Sequence, residues 1–389
     1  MKIHVAIVSD QILANLIPAL MEKPDAVWLV SSLAMSARGV DSRLARLLKK
    51  AGMAVEIRNA APEVNMRAIY AFAASVIDEL MEKHAAAELI LNATGGTKPM
   101  SLGFIEVFRG IAARIIYTDT PHRQIDVLPQ GREDAAVPTP MFDVLDVPGY
   151  LSAQGLRYAE ADSDAAPYVT RMQGRKAAAK HLGRNAVKLE ALFRTMNALA
   201  DRALDRDGNL VDPMQRFNTP HPPRGDWAAA LHALIDAKCI SWSTGSNDIA
   251  FIDAERTQFV RGGWLEEYAF HLVRDERPFD VRKGVKVQME GGDGVTNEFD
   301  VVACHLNQLL FLECKTLKFE EGRNDSDVAY KLESLGDRAR GLFGETWLLS
   351  AQTPTPILRK RAEQGRFRLL GPADLPGLRE RVRAWIEGA

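Results

Sequence analysis

Five short apolar runs in the first 120 residues, Ile3 to Val8, Val27 to Val30, Val55 to Ile57, Leu89 to Leu91 and Arg114 to Tyr117, alternate with segments of helical periodicity. Short strands separated by helices leave few arrangements open, because parallel neighbours need a crossover and the crossover helices cover the faces of the sheet. The front of the chain is therefore expected to form an open parallel α/β sheet. Ligands of such a sheet bind outside the carboxyl ends of its strands.

The turns at those ends carry chemistry. In ELILNATGGTKPMSLG, residues 88 to 103, the strand runs into a glycine-rich turn and Pro99 opens a helix. Backbone N–H groups of the turn and the helix N-terminus make an anion site, and Lys98 adds a full charge, so phosphate is the expected ligand. The turn matches neither G-X4-G-K-[ST] nor G-X-G-X-X-G, which speaks against ATP hydrolysis and NAD. Standing alone it would be an ordinary strand-to-helix turn. Two polar turns accompany it, Ser9-Asp10-Gln11 with Asn15 after the first strand and Ser31-Ser32 after the second. Their hydroxyl, amide and carboxylate groups suit base edges and ribose hydroxyls, although Ser9 or Asp10 can equally serve as a helix N-cap.

The far end holds a second constellation. NEFDVVACHLNQLLFLECKTLK, residues 297 to 318, is two apolar runs joined by a polar turn at His305 to Gln308. Strand alternation puts Glu313 and Lys315 on one face, ~6.6 Å apart, with Cys314 opposite. Pairing as a hairpin brings Asp300 beside Glu313. Two carboxylates ~4 Å apart repel by ~4 kcal/mol at an effective dielectric near ~20, so they stay ionised together only around a cation. Mg²⁺ or Mn²⁺ suits hard oxygen ligands and joins carboxylates to a substrate phosphate. Lys315 can orient the attacking water or neutralise charge on the phosphate.

GGWLEEYAFHLV, residues 262 to 273, supplies a helix whose apolar stripe is Trp264, Leu265, Tyr268, Ala269 and Leu272. Glu266 is the first choice for a third carboxylate, with Glu267 as the alternative. As a bare string, D-X12-E-X-K is common on solvated strands, and a Glu313–Lys315 surface pair is the plain reading. The order helix, strand, turn, strand, helix, with an acid inside the apolar run FLECK, argues for a site. The last helix of that series is Asp327 to Leu335, setting Tyr330 and Lys331 over the site, and Trp347 to Ser350 reads as a further strand.

Asp300, then Glu313-X-Lys315 after a helix bearing a Glu, resembles the core of the PD-(D/E)XK nuclease superfamily, with Phe299 in place of the motif's proline. Together with the Ser-Asp-Gln and Gly-Gly-Thr-Lys-Pro-Met turns, it resembles the CARF-domain nucleases that accompany type III CRISPR systems. That resemblance implies a homodimer whose CARF domains bind a cyclic oligoadenylate, mostly the tetra-adenylate, and so activate metal-dependent cutting of nucleic acid. It places the messenger on Ser9, Asp10, Gln11, Gly95, Gly96, Thr97, Lys98 and Met100. It places catalysis on Glu266, Asp300, Glu313 and Lys315, with the metal on Asp300, Glu313 and Glu266. The expected order is a Rossmann-like CARF domain over 1–145, a linker and winged-helix-like module over 146–255, and a restriction-endonuclease-like α/β domain over 256–389.

Composition agrees. The 389 residues, 47% of them hydrophobic, suffice for two or three cored domains. With 49 basic against 51 acidic side chains there is no global basic field, so nucleic-acid contact must be local. Candidate patches are Arg171, Arg175, Lys176, Lys180 and Arg184, and Arg359, Lys360, Arg361, Arg366 and Arg368, each of which can also be a solvated face. Cys239, Cys304 and Cys314 lack zinc-ribbon spacing and do not suggest a disulfide framework. MKIHVAIVSD enters a strand without a signal peptide's apolar core, and no run spans a bilayer, so a cytoplasmic protein without membrane partners is expected.

Residues 121 to 170, rich in Pro, Asp and Ala, read as an irregular connection. Helical patterns follow over Lys176–Ala200 and Trp227–Lys238, then a hairpin of Ile240–Trp242 with Ile249–Ile252. Such a module can touch DNA or act as a rigid spacer. The alternative function, from a different class, is a ligand-gated DNA-binding regulator with an inactive nuclease fold. A third is slow cleavage of the messenger by Thr or Lys of the TGGTK turn. The HEPN ribonuclease string Arg-X4-6-His occurs at Arg216 to His221, but Pro220, Pro222 and Pro223 break any helix that would aim both side chains at one phosphate. Substrate strandedness and messenger ring size are set by groove and pocket shape rather than by these motifs.

Overall fold

The computed structural model describes residues 1–129, 131, 137–290, 296–317, 341, 344–365 and 367–388. The helix expected at Asp327 to Leu335, with Tyr330 and Lys331, lies outside the described residues, as does Arg366. Two compact units follow one another, one from Met1 to Leu156 and one beginning at Arg157.

In the first unit the five apolar runs are strands β1 (Lys2–Ile7), β2 (Ala26–Val30), β3 (Ala54–Arg58), β4 (Glu88–Asn92) and β5 (Arg114–Asp119). They pair in parallel in the order β3-β2-β1-β4-β5. Helices α1 (Leu13–Glu22), α2 (Leu33–Ala37), α3 (Val40–Lys50), α4 (Met66–His84) and α5 (Lys98–Phe108) make the crossovers. β2 is buried along its whole length and β1 along all but its first residue. Burial on both faces is why these strands read as continuous apolar runs rather than as alternation. Trp28, Phe104 and Phe108 are fully buried in this core, each contributing about 2 to 3 kcal/mol of transfer free energy.

Residues 121 to 170 depart from the expected irregular connection. Strand β6 (Gln124–Val127) extends the sheet antiparallel to β5, β7 (Thr139–Pro140) pairs antiparallel with β6, and helix α6 (Val147–Ala153) follows. Strand β8 (Leu156–Ala161) then joins the sheet of the second unit at one edge. These are short elements whose structure comes from pairing with distant strands, so local propensity is silent about them.

The second unit opens with helices α7 (Ala166–Arg184) and α8 (Ala186–Ala203), strand β9 (Met214–Arg216), helix α9 (Asp226–Asp236), and strands β10 (Ile240–Trp242) and β11 (Asp248–Phe251). β10 and β11 are the expected hairpin, and β9 completes a three-stranded sheet in the order β10-β11-β9. Next come α10 (Ala254–Gln258), a π-turn over Phe259–Gly263, and α11 (Trp264–Asp275), which carries the predicted apolar stripe inward. The main sheet has β12 (Asp280–Met289), β13 (Thr296–His305), β14 (Gln308–Lys315), β15 (Gly344–Ser350) and β16 (Arg368–Leu370), in the order β16-β15-β14-β13-β12-β8. One core runs from Met172 in α7 through the small sheet and α11 to Trp385 in the last helix. The segment between the two ends of the chain therefore shares its core with the sheet that carries Asp300.

β13 and β14 meet at a two-residue turn in which Leu306 (φ 46°) and Asn307 (φ 60°) are both left-handed. Two positive φ values match the twist of the flanking strands, and they set the register that pairs His305 with Gln308 and Val301 with Leu312.

Candidate functional site

Continued by one step, the register that pairs Val301 with Leu312 sets Asp300 across from Glu313. Asp300 Oδ2 accepts the N–H of Cys314 at 2.6 Å, locking its carboxylate to the end of β14. Glu313 is buried, and its Oε1 accepts from Lys315 Nζ at 2.7 Å. Cys314 points the other way into the apolar core with Leu310 and Leu312, as strand alternation requires. Glu266, in the first turn of α11, reaches the same region. Burial pushes the Asp300 carboxyl well above the usual range, and the negative charges of Glu313 and then Glu266 push it further, against the opposing pull of Lys315 and the Cys314 N–H. Burial draws Lys315 down, but Glu313 and Asp300 outweigh it and hold the ammonium above its ordinary value.

Glu266 and Lys315 line a cleft of about 470 Å³, together with Glu298, Lys283 and Thr316. Asp300 and Glu313 lie buried behind Lys315 and Glu266, and all three carboxylates are hard oxygen donors. That donor set, with its unrelieved negative field at Asp300, fits a divalent cation such as Mg²⁺ or Mn²⁺. Among the described residues no three acidic, histidine or cysteine side chains already converge as a ligand set. Two of the three carboxylates are engaged by lysines, Glu313 by Lys315 and Glu266 by Lys283 at 2.9 Å.

Glu267, the alternative third carboxylate, is placed differently. It is 2% exposed and takes a two-pronged contact from Arg175, Nε at 3.1 Å and Nη2 at 2.6 Å to the same oxygen. Burial raises its carboxyl even against that guanidinium. Glu266 is thus the one of the two whose charge bears on Asp300. Arg175 also meets Glu255 at 2.9 Å, and Arg171 meets Glu255 at 2.7 Å. Lys176 and Lys180 both hold Asp275, at 2.6 and 2.8 Å. In the basic run on α7, Arg171, Arg175, Lys176 and Lys180 pair with acids of α10 and α11, while Arg184 is exposed. In the second patch Arg368 pairs with Glu345, while Arg359 and Lys360 are exposed. Arg216 pairs with Asp248 on neighbouring strands and His221 lies in a loop, so the HEPN string has no helix to act from.

Lys283, Asp162, Tyr168 and Thr316 are cleft residues that sequence reasoning missed. A signal for Lys283 was present in DVRKGVKVQM, where a lysine takes the place of a valine in the series Val281, Lys283, Val285, Val287. A charge at an inward position of a strand asks for a partner.

In the first unit the TGGTK turn lies against the end of β1. A Cβ on Gly95 would stand 1.9 Å from the Ile7 carbonyl oxygen, and one on Gly96, at φ +77°, would stand 2.4 Å from the Ile7 side chain. Both positions need glycine, and that close approach brings the turn beside Ser9-Asp10-Gln11. Thr97 caps α5: its hydroxyl accepts from Met100 N and donates to the Glu63 carbonyl at 2.9 Å. Pro99 has no N–H, and the N–H groups of Gly95, Gly96, Thr97 and Lys98 have no hydrogen-bond partner among the described residues. Lys98 is exposed, whereas Met100 is buried in the core and offers the rim no side chain. Ser9 and Gln11 are half-buried, and Asp10 is exposed and paired with Arg38 at 2.6 Å. Neither Ser9 nor Asp10 caps α1, which has no side-chain cap. Ser32 caps α2 and donates to Glu63 at 2.8 Å. Asn15 binds the Ile7 carbonyl at 2.7 Å, holding the end of β1.

A parallel α/β sheet with a glycine turn at its strand ends, followed by a sheet with an acidic, lysine-bearing hairpin, has the architecture of a two-domain protein with a Rossmann-like front and an endonuclease-like back. Residues 3–150 match the family model of the Card1 CARF domain, and residues 253–389 match that of the Card1-like endonuclease domain. The chain belongs with the proteins that join these two domains, and it is a CARF-domain nuclease. No curated protein matches it in sequence. Among solved structures, protein VC1899 from Vibrio cholerae is similar with a TM-score of 0.83 and 23% identity, over 100% of this chain and 98% of that one. Can2 from Sulfobacillus thermosulfidooxidans, solved in complex with cyclic tetra-adenylate, gives a TM-score of 0.76 at 23% identity over 100% of this chain and 98% of its own. A type III CRISPR defence DNA nuclease activated by cyclic oligoadenylate gives 0.53 at 16% identity, over 98% of this chain and 52% of that one. At these identities the likeness establishes the fold.

Proposed function

We propose that this chain is a nuclease of type III CRISPR antiviral defence, switched on by a cyclic oligoadenylate, with the tetra-adenylate as first candidate, and cutting DNA, RNA or both. The observation that carries the catalytic part is the buried Asp300, crowded by Glu313 and Glu266 and opposed by Lys315. On this reading Asp300, Glu313 and Glu266 hold Mn²⁺ or Mg²⁺. Such an ion supplies a water of lowered pKa and neutralises charge on the phosphate. The protein's own part is to aim three carboxylates at one point, to keep Lys315 where it can orient the nucleophile, and to line the cleft that receives the strand.

The sensor part rests on the rim of the first unit. Free N–H groups of the TGGTK turn and the exposed Lys98 suit phosphates, while Ser9, Asp10 and Gln11 suit bases and riboses. Similarity along the whole chain to Can2 with its bound cyclic tetra-adenylate supports the same ligand class here. Met100 contributes through its backbone and its packing under the turn. The homodimer of this reading would use apolar side chains exposed on the first unit, such as Val64 at 73% and Leu102 at 61%. The partition into a sensor over 1–145, a module over 146–255 and a nuclease over 256–389 belongs to this reading, with the helices of the module bracing the nuclease through the core they share. Activation is allosteric: the messenger binds the active arrangement more tightly than the resting one, since equal affinity for both shifts nothing. A cytoplasmic location fits three cysteines that form no disulfide, and no helix among the described residues is long and apolar enough to cross a membrane.

The test is a substrate panel of single-stranded DNA, supercoiled DNA and RNA with Mn²⁺ or Mg²⁺, with and without cyclic tetra- or hexa-adenylate, beside calorimetric binding of each messenger. Cutting that requires both a metal and one messenger supports the reading. Messenger binding without cutting of any substrate would favour the regulator with an inactive nuclease fold.

A further inference from the structure

Lys283 is buried within β12, yet its ammonium has two acidic partners. Nζ stands 2.9 Å from Glu266 Oε2 and 3.3 Å from Asp162 Oδ2, with the Tyr168 ring centroid at 5.4 Å. A lone buried ammonium is strongly unfavourable, so these contacts are what allow a lysine at this inward position. The backbone is shaped for the second contact. Gly284 adopts φ +64°, a Cβ there would stand 2.5 Å from Asp162 Cγ, and the N–H of Lys283 donates to Ser163 Oγ at 3.0 Å. The pairs Lys283 with Val301 and Val285 with Phe299 also set Gly284 opposite Asp300.

The two partners belong to different parts of the unit. Glu266 is one of the three carboxylates of the candidate metal site, with Asp300 and Glu313. Asp162 sits in the turn directly after β8, the strand with which the chain enters the second unit. β8 and its turn are laced to β12 by Glu160 with Lys286 at 2.7 Å, by Arg157 with Gln288, and by Asp164 with Arg282.

We propose that Lys283 is a positioning residue of the nuclease site, a built-in cation that occupies Glu266 until a divalent ion takes that carboxylate, whereupon Asp162 receives the ammonium. The exchange rests on the metal-dependent nuclease reading above. An ammonium and a metal ion compete for the same carboxylate oxygens, so Glu266 ligates the ion only when Nζ has moved off. Asp162 already touches Nζ and keeps it paired after the move, avoiding a bare buried charge. This accounts for three carboxylates that lie together without converging. It also gives the segment that follows the sensor in sequence a direct hold on the site, because the placement of β8 and its turn sets how readily Asp162 takes the lysine.

Mn²⁺ binding to the full-length protein without nucleic acid, read from the electron paramagnetic resonance of the free ion, tests the exchange independently of cutting. Lys283→Met should tighten Mn²⁺ binding about tenfold, because a competing positive charge is gone. Asp162→Asn should weaken it about threefold in the wild-type background and have no effect in the Lys283→Met background. Lys283→Arg, which keeps the charge, should bind as the wild type does. Unchanged or weaker binding in a folded Lys283→Met protein would overturn the exchange, as would an Asp162→Asn effect of equal size in both backgrounds. Should Lys283→Met fail to fold by thermal unfolding, Asp162→Asn on its own decides, and wild-type affinity there counts against the proposal. A wild type that binds no Mn²⁺ overturns the metal site itself, and the exchange with it.

Discussion

At the sensor rim the shape comes from backbone, and at the nuclease cleft it comes from buried charge. Gly95 and Gly96 press against Ile7, Thr97 closes the helix start, and what faces a ligand is a row of N–H groups with small hydroxyls around them. In the cleft the decisive groups are charged side chains held by charged partners: Glu313 by Lys315 two residues along β14, and, from other elements, Glu266 by Lys283 of β12 and Glu267 by Arg175 of α7. The first kind of site is specified by a few consecutive residues. The second needs the whole tertiary fold to come together, so it is the more readily altered by a shift elsewhere in the chain.

This contrast can be broken by removing one device from each region. The largest effect expected is at Arg175. Removing one partner of a buried pair leaves an uncompensated charge and costs about 3 to 5 kcal/mol. Arg175→Ala should therefore lower the calorimetric transition of the second unit by about 10 °C and leave that of the first in place. A joint shift of both transitions would show that the units do not unfold separately.

Acid should separate the regions next. Burial pushes His271, in α11, from 6.5 down to about 4. The unfolded chain binds that proton first, so the second unit loses about 3 kcal/mol as pH falls from about 6.5 toward 4. In the first unit burial raises Glu22, but the hydrogen bonds and charges of His4 and Arg114 outweigh it and hold the carboxyl at about 2, against 4.5. Its contribution, also about 3 kcal/mol, is complete above the unfolded value and is lost only as pH falls from about 4.5 toward 2. Between pH 7 and pH 5 the second unit of the wild type should lose more stability in denaturant than that of His271→Asn, the proton uptake of Asp300 and Glu267 being common to both, while the Glu22 contribution of the first unit stays whole. His271→Asn should flatten the dependence of the second unit.

Gly95→Ala drives a methyl into the Ile7 carbonyl. It should destabilise the first unit by about 2 kcal/mol and weaken messenger binding while metal binding stays as in the wild type. The smallest effect belongs to the exposed pair of Asp10 with Arg38. Arg38→Ala should change stability by less than about 1 kcal/mol, measured by chemical unfolding.

How much of each region the sequence declares follows from the same contrast. The five strands of the first sheet appear as apolar runs within a residue or two of their observed ends, and the glycines and Pro99 mark their turn, because each depends on neighbours in the chain. The hairpin around Asp300 and Glu313 is legible for the same reason, down to the polar turn at Leu306 and Asn307. Lys283, Asp162 and the pairing of Arg175 with Glu267 are not, since each joins residues more than a hundred or nearly a hundred positions apart. β8 escapes notice because its six residues become a strand only at the edge of a sheet built far downstream. Arg175 shows the hazard most plainly. In a string of basic residues it reads like surface, and only burial against Phe259 and Glu267 reveals it as structural.

The most direct test of the whole account is one reaction: supercoiled DNA with Mn²⁺ and this protein, followed over time with and without cyclic tetra-adenylate, beside Glu313→Ala. The account predicts that nicking or linearisation appears only with the messenger and falls by about a thousandfold or more in the variant, which still binds the messenger. Equal cutting with and without the messenger, or cutting that survives Glu313→Ala, would contradict it.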